Sequence, residues 1–116
     1  MRTVSLLQMD PKVGDLEGNA ARIEGLLRQA EASGGSVAVS TELAVCGYPP
    51  RDLLLESDFV DRAMAMALDI AATVPALIGT PLPPESVRQR PGNGVVRVGR
   101  SSGSLTGQTE GQVVAR

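Results

Sequence analysis

The chain has 116 residues, 42% of them hydrophobic, and a net charge of -2, which suits one domain with a real core and leaves no broad basic surface for nucleic acid. It contains no histidine, one cysteine, one tyrosine and one phenylalanine. Within these residues that excludes Ser-His-Asp and Cys-His nucleophile pairs, histidine-based or Cys-rich metal sites and an internal disulfide. No apolar run reaches the length of a secretory core or a membrane span, so a cytoplasmic protein without membrane or nucleic-acid partners is expected.

Residues 2–8, "RTVSLLQ", alternate loosely and carry Thr3 and Val4, which predicts a strand. Pro11 and Gly14 break it, and Asp15 can accept from the free N–H groups of a following helix. Leu16, Ala20, Ile23, Leu27 and Ala30 recur at spacings of three and four, marking the apolar face of that helix, which Gly34 and Gly35 end. "SVAVS" is a short apolar strand. After Pro49 and Pro50, "RDLLLES" suits one or two helical turns. A second helix is expected from Ser57 through residue 74, with Phe59, Ala63, Met66 and Ile70 on one face. "PALIGTP" reads as a third strand, and the proline-rich "TPLPPESVRQRPGNG" as a loop. "GVVRVGR" and "GQVVAR" read as a hairpin around the polar run "SSGSLTGQTE". The order strand, helix, strand, helix, strand, hairpin indicates an α/β domain: a largely parallel sheet covered by crossover helices, with antiparallel pairing at one side.

In such a sheet ligands gather beyond the carboxyl ends of the strands. That focuses attention on "STELAVCGYPPRDLLLESDF", residues 40–59. Glu42 stands at a strand end, where a Pro-rich turn can screen it and fit it for general-base work; the plainer reading is a solvated acid. Cys46 lies four residues on but has no adjacent cation or helix N-terminus to lower its pKa, so a packing role suits it better than nucleophilic attack. Tyr48 can bond a polar ligand or pack the turn, and spacing does not choose between them. "GNGVVRVG" precedes a strand instead of opening a helix, and "GTPLP" lacks a Gly-Lys-Ser/Thr ending, so neither is a nucleotide-binding loop.

The segments "MDPKVGDLEGNAARI", "TELAVCGYPPRDLLLESDFV" and "IGTPLP", in this order and spacing, resemble the amino-terminal part of the glutaminase domain in the glutamine-dependent NAD synthetase family. That family is a branch of the nitrilase, or carbon-nitrogen hydrolase, superfamily. The resemblance runs from residue 1 to about residue 83, and the continuation Pro-Pro-Arg-Asp-Leu-Leu after Gly-Tyr points to the synthetase branch.

The resemblance implies a partial nitrilase-type α-β-β-α sandwich, with residues 1–116 an incomplete glutamine amidohydrolase domain and no second domain. It implies that Glu42 is the general base of a Glu-Lys-Cys triad and that Tyr48 lines the glutamine pocket. In that mechanism the base deprotonates a cysteine, the thiolate attacks the glutamine amide and a lysine stabilises the oxyanion. The ammonia then serves ATP-dependent amidation of nicotinic acid adenine dinucleotide in a further domain. ATP and Mg belong to that domain, with no cofactor here, and the full-length family members are expected to be homo-oligomers. Lys12, the only lysine, does not match the triad lysine, and Cys46 does not match the nucleophile. These residues alone are therefore expected to be inactive, and an uncovered sheet face is expected to make them associate. Another carbon-nitrogen hydrolase, or a catalytically dead interaction module, is the alternative.

Overall fold

The computed structural model describes residues 2–72, 74–83, 92–99 and 112–115. In chain order the elements are β1 (Val4–Leu7), α1 (Leu16–Ala32), β2 (Val37–Ser40), a 3-10 turn (Arg51–Leu55), α2 (Ser57–Leu68), β3 (Ala76–Leu82), β4 (Gly92–Val98) and β5 (Gln112–Ala115). They build one sheet in the order β1-β2-β3-β4-β5. β1, β2 and β3 run parallel, while β4 and β5 are added antiparallel. This is the mixed α/β arrangement that the pattern of elements predicts.

Successive right-handed crossovers that step along a sheet in one direction put their helices on one face. Here α1 packs on β1 and β2, and α2 on β3 and β4. Residues paired across the ladders share a face, so Leu7, Ala38, Ala76, Ile78, Val96 and Val98 all lie under the helices, and all are buried. They meet Leu16, Ala20, Ile23, Leu27 and Ala30 of α1, the stripe that the helical period predicts. α1 starts where Asp15 accepts a hydrogen bond from the Gly18 N–H at 3.1 Å, a side-chain N-cap. The opposite face carries Val4, Leu6, Val37, Val39, Leu77, Val95 and Arg97, none of which is buried. Leu6 is 77% exposed. No helix among the described residues is long and apolar enough to cross a membrane.

Two boundaries differ from the sequence expectation. α2 stops at Leu68 instead of continuing to residue 74. Its ladder is interrupted because the Ala71 N–H donates to the Glu24 carboxylate of α1 at 3.0 Å, while Ile70 bonds back only to the Ala67 carbonyl. Ile70 is buried as expected, but from the segment after the helix. Second, β3 runs on through Leu82 and β4 begins at Gly92, so both strands reach further into the proline-rich segment than expected, and its overlapping edge residues Thr80, Pro81 and Gly94 are strand instead of loop. Pro81 is tolerated there for a geometric reason. The Gly79 N–H and C=O both face β2, so the proline nitrogen two residues on faces the same side, beyond the last β2 residue, Ser40, where no ladder acceptor waits. The remainder of the expected loop, and the run "SSGSLTGQTE", lie outside the described residues.

Candidate functional site

At Ser40 the chain leaves β2 and makes a tight turn over residues 42–46 beside β3. Three features shape it. The Ser40 hydroxyl accepts from the Gly79 N–H at 2.9 Å and donates to the Thr41 carbonyl at 3.0 Å. The Val45 N–H donates to the Gly79 carbonyl at 3.3 Å, so both polar groups of one β3 residue are engaged by the two ends of the turn. Between these bonds Leu43 sits at φ 50°, a left-handed conformation that costs a side-chain-bearing residue about 1 kcal/mol. Its side chain is 2% exposed, so burial holds the corner in place. The turn closes with the Gly47 N–H donating to the Leu43 carbonyl at 2.8 Å.

A second anchor comes from α1. Asn19 is fully buried. Its amide nitrogen donates to the Lys12 carbonyl at 2.7 Å and to the Val45 carbonyl at 3.0 Å, and its oxygen accepts from the Lys12 N–H at 2.8 Å and the Arg22 guanidinium at 3.2 Å. One side chain thus ties the loop after β1 to the turn after β2. The Gly14 N–H reinforces the tie by donating to the Cys46 carbonyl at 2.9 Å. The two backbones are pressed so close at Gly47 (φ 85°) that a β-carbon there would stand 2.7 Å from the Val13 α-carbon.

This frame distributes the sequence-predicted residues unevenly. Leu43, Ala44, Val45 and Cys46 are buried, whereas Glu42 is exposed and Tyr48 is 64% exposed. The corner at Leu43 sends the residues after Glu42 inward and leaves Glu42 outside them, exposed at the surface of the turn. A shallow cavity of about 260 Å³ opens at the carboxyl ends of β1 and β2, lined by Leu6, Leu7, Gln8, Val39, Ser40 and Thr41, and neither Glu42 nor Tyr48 lines it. The buried Thr41 hydroxyl has no hydrogen-bond partner among the described residues. The Tyr48–Pro49 peptide is cis.

Cys46 has the environment of a packing residue. Its thiol is inaccessible and donates to the Gly47 carbonyl at 3.3 Å, and burial pushes its pKa from 9.0 up to about 11. At neutral pH such a thiol is protonated and out of reach, the opposite of an activated nucleophile. Lys12 is exposed, and its backbone is fixed by Asn19.

Reasoning from the sequence missed Ser40, Asn19 and Gly79. Asn19 carried a signal: it is a lone amide between Leu16 and Ile23 on the apolar stripe, where only a fully bonded polar group is tolerated. Gly79, within the segment set aside as a nucleotide loop, serves the turn by having no side chain. Ser40 gave no sign of its bond to β3, because that partner, Gly79, lies 39 residues away.

No protein-family model matches the chain. Among curated proteins, the glutamine-dependent NAD(+) synthetase of Synechocystis is 37% identical over 87 residues, covering 72% of this chain and 16% of that protein. The one from Xylella fastidiosa is 38% identical over 82 residues (67% and 15%), and that of Thermotoga maritima 44% over 57 residues (49% and 10%). The matched segment is thus no more than about a sixth of these relatives' length. Among solved structures, the glutamine-dependent NAD+ synthetase of Acinetobacter baumannii superposes with a TM-score of 0.67 at 22% identity, covering 83% of this chain and 18% of that one. An amidase from Nesterenkonia superposes with a TM-score of 0.63 at 22% identity, covering 84% and 37%. At such identities these likenesses establish a shared fold.

Proposed function

From the homology of its amino-terminal portion to glutamine-dependent NAD(+) synthetases, we propose that this chain contributes the general-base segment of a glutamine amidohydrolase. The observation that carries the reading is the setting of Glu42. The acid stands at the first residue of a turn at the carboxyl end of a parallel strand, where α/β sheets collect their ligands, and both ends of that turn are bonded to Gly79.

In this reading Glu42 takes the proton from a thiol, the thiolate adds to the amide carbon of glutamine, and an ammonium group stabilises the oxyanion. Ammonia leaves and water resolves the thioester. The only thiol, Cys46, is buried and protonated, and the only lysine, Lys12, belongs to the loop after β1, so this reading assigns neither of them to the reaction. Glu42 is itself exposed here, so its enclosure, like its partner groups, comes from outside this turn. The 116-residue polypeptide by itself is accordingly expected not to hydrolyse glutamine. Tyr48, exposed two residues beyond the buried part of the turn, contributes to the glutamine pocket. ATP and Mg, the amidation of nicotinic acid adenine dinucleotide and a homo-oligomeric assembly belong to the same proposal at the level of the whole enzyme.

The test is ammonia release from glutamine by the complete gene product. Glu42→Gln should lower kcat by about 10²-fold or more, the range for loss of a general base, and Tyr48→Ala should raise KM. Retention of activity by Glu42→Gln defeats the reading. The fold is shared with an amidase, and hydrolysis of short aliphatic amides in preference to glutamine would transfer the assignment to that class.

A further inference from the structure

We propose that Gly79 and Ser40 are positioning residues for the base: they set where Glu42 stands relative to the sheet. The inference rests on the amidohydrolase reading of Glu42 and adds to it the groups that fix its location.

A β-carbon at Gly79 would lie 2.7 Å from the Thr41 carbonyl oxygen, 2.7 Å from the Leu43 nitrogen and 3.2 Å from the Glu42 α-carbon. All three neighbours are backbone atoms of the turn, so no flexible side-chain end can move aside. The residues on either side of Glu42 thus rest directly on the bare α-carbon of β3. Around this seat the bonding is local and complete: the Gly79 N–H donates to the Ser40 hydroxyl, the Gly79 carbonyl accepts from Val45, and the same hydroxyl donates to the Thr41 carbonyl. Ser40 therefore couples β3 to the residue just before Glu42, and Val45 couples it to the residues just after. Any side chain at position 79 must lift residues 41–43 off the sheet, and removal of the Ser40 hydroxyl frees the leading edge of the turn.

A displacement of about 1 Å in a catalytic group costs up to roughly a hundredfold in rate. In the complete gene product, Gly79→Ala should therefore lower kcat for glutamine by about tenfold to a hundredfold, with KM within about twofold of wild type. Ser40→Ala should lower kcat in the same way by a smaller factor, and Ser40→Thr, which keeps the hydroxyl, should restore it. With kcat taken per folded enzyme, the rescue by threonine is the readout that a loss of stability alone does not produce, since a smaller folded fraction lowers apparent kcat at unchanged KM without hydroxyl-specific recovery. If Gly79→Ala does not fold, the Ser40 pair carries the test. Inactive Glu42→Gln together with wild-type kcat in both Gly79→Ala and Ser40→Ala overturns the positioning role and leaves the base intact. A wild-type gene product without glutaminase activity overturns the reading of Glu42 and this inference with it.

Discussion

Replacing Asn19 probes the frame of the site most directly. The side chain is fully buried and bonds to both backbone groups of Lys12 and to the Val45 carbonyl at 2.7–3.0 Å, and more weakly to an exposed arginine. Each intramolecular hydrogen bond contributes about 1 kcal/mol net, and an orphaned buried group costs about 1–3 kcal/mol. With the two Lys12 bonds lost and the buried Val45 carbonyl left bare, Asn19→Ala should destabilise the fold by about 3–5 kcal/mol. That is a large share of the roughly 5–15 kcal/mol typical of a domain. Asn19→Leu fills the space without restoring a bond, so it should remain destabilised by about 2 kcal/mol or more. Urea unfolding followed by far-UV circular dichroism at low protein concentration measures both, with the m-value as a check that the same surface is exposed. Recovery of wild-type stability in Asn19→Leu would show that volume, and not hydrogen bonding, holds the two loops together, and would refute the reasoning.

Cys46 supplies a pH prediction. Its native thiol ionises near 11 against 9.0 when exposed, so as pH rises the unfolded chain loses its proton first. The associated stability is complete below about pH 9 and is lost as pH climbs through about 11, amounting to about 2–3 kcal/mol at most. Urea midpoints from pH 8 to 11 on wild type and Cys46→Ala should diverge accordingly, and a thiol reagent should label Cys46 quickly only in denaturant; rapid labelling of the folded chain at pH 8 contradicts the burial. The open sheet face predicts self-association of the 116-residue polypeptide. Leu6→Lys, on that face and 77% exposed, should raise the monomer fraction in light scattering while changing stability by less than about 0.5 kcal/mol. A wild-type polypeptide that stays monomeric at high concentration goes against that expectation.

Local chemistry was enough to read much of this molecule from its sequence. The three-and-four spacing of Leu16, Ala20, Ile23, Leu27 and Ala30 fixed the buried face of α1, Asp15 its start, and the alternation of elements the mixed sheet. The segment around Glu42 pointed to the right family of relatives. What stayed hidden depends on partners far apart in the chain. The end of α2 is decided by Glu24 capturing the Ala71 amide across 47 residues. The strand character of Pro81 is decided by β2 having already ended beside it. The inward course of residues 43–46, the exposure of Glu42 and the need for glycine at position 79 follow from two backbones meeting within van der Waals distance. Spacing along a chain encodes which face a side chain takes within its own helix or strand. It does not encode what arrives on that face from another element, and at this site that arrival sets both the shape of the turn and the position of the acid.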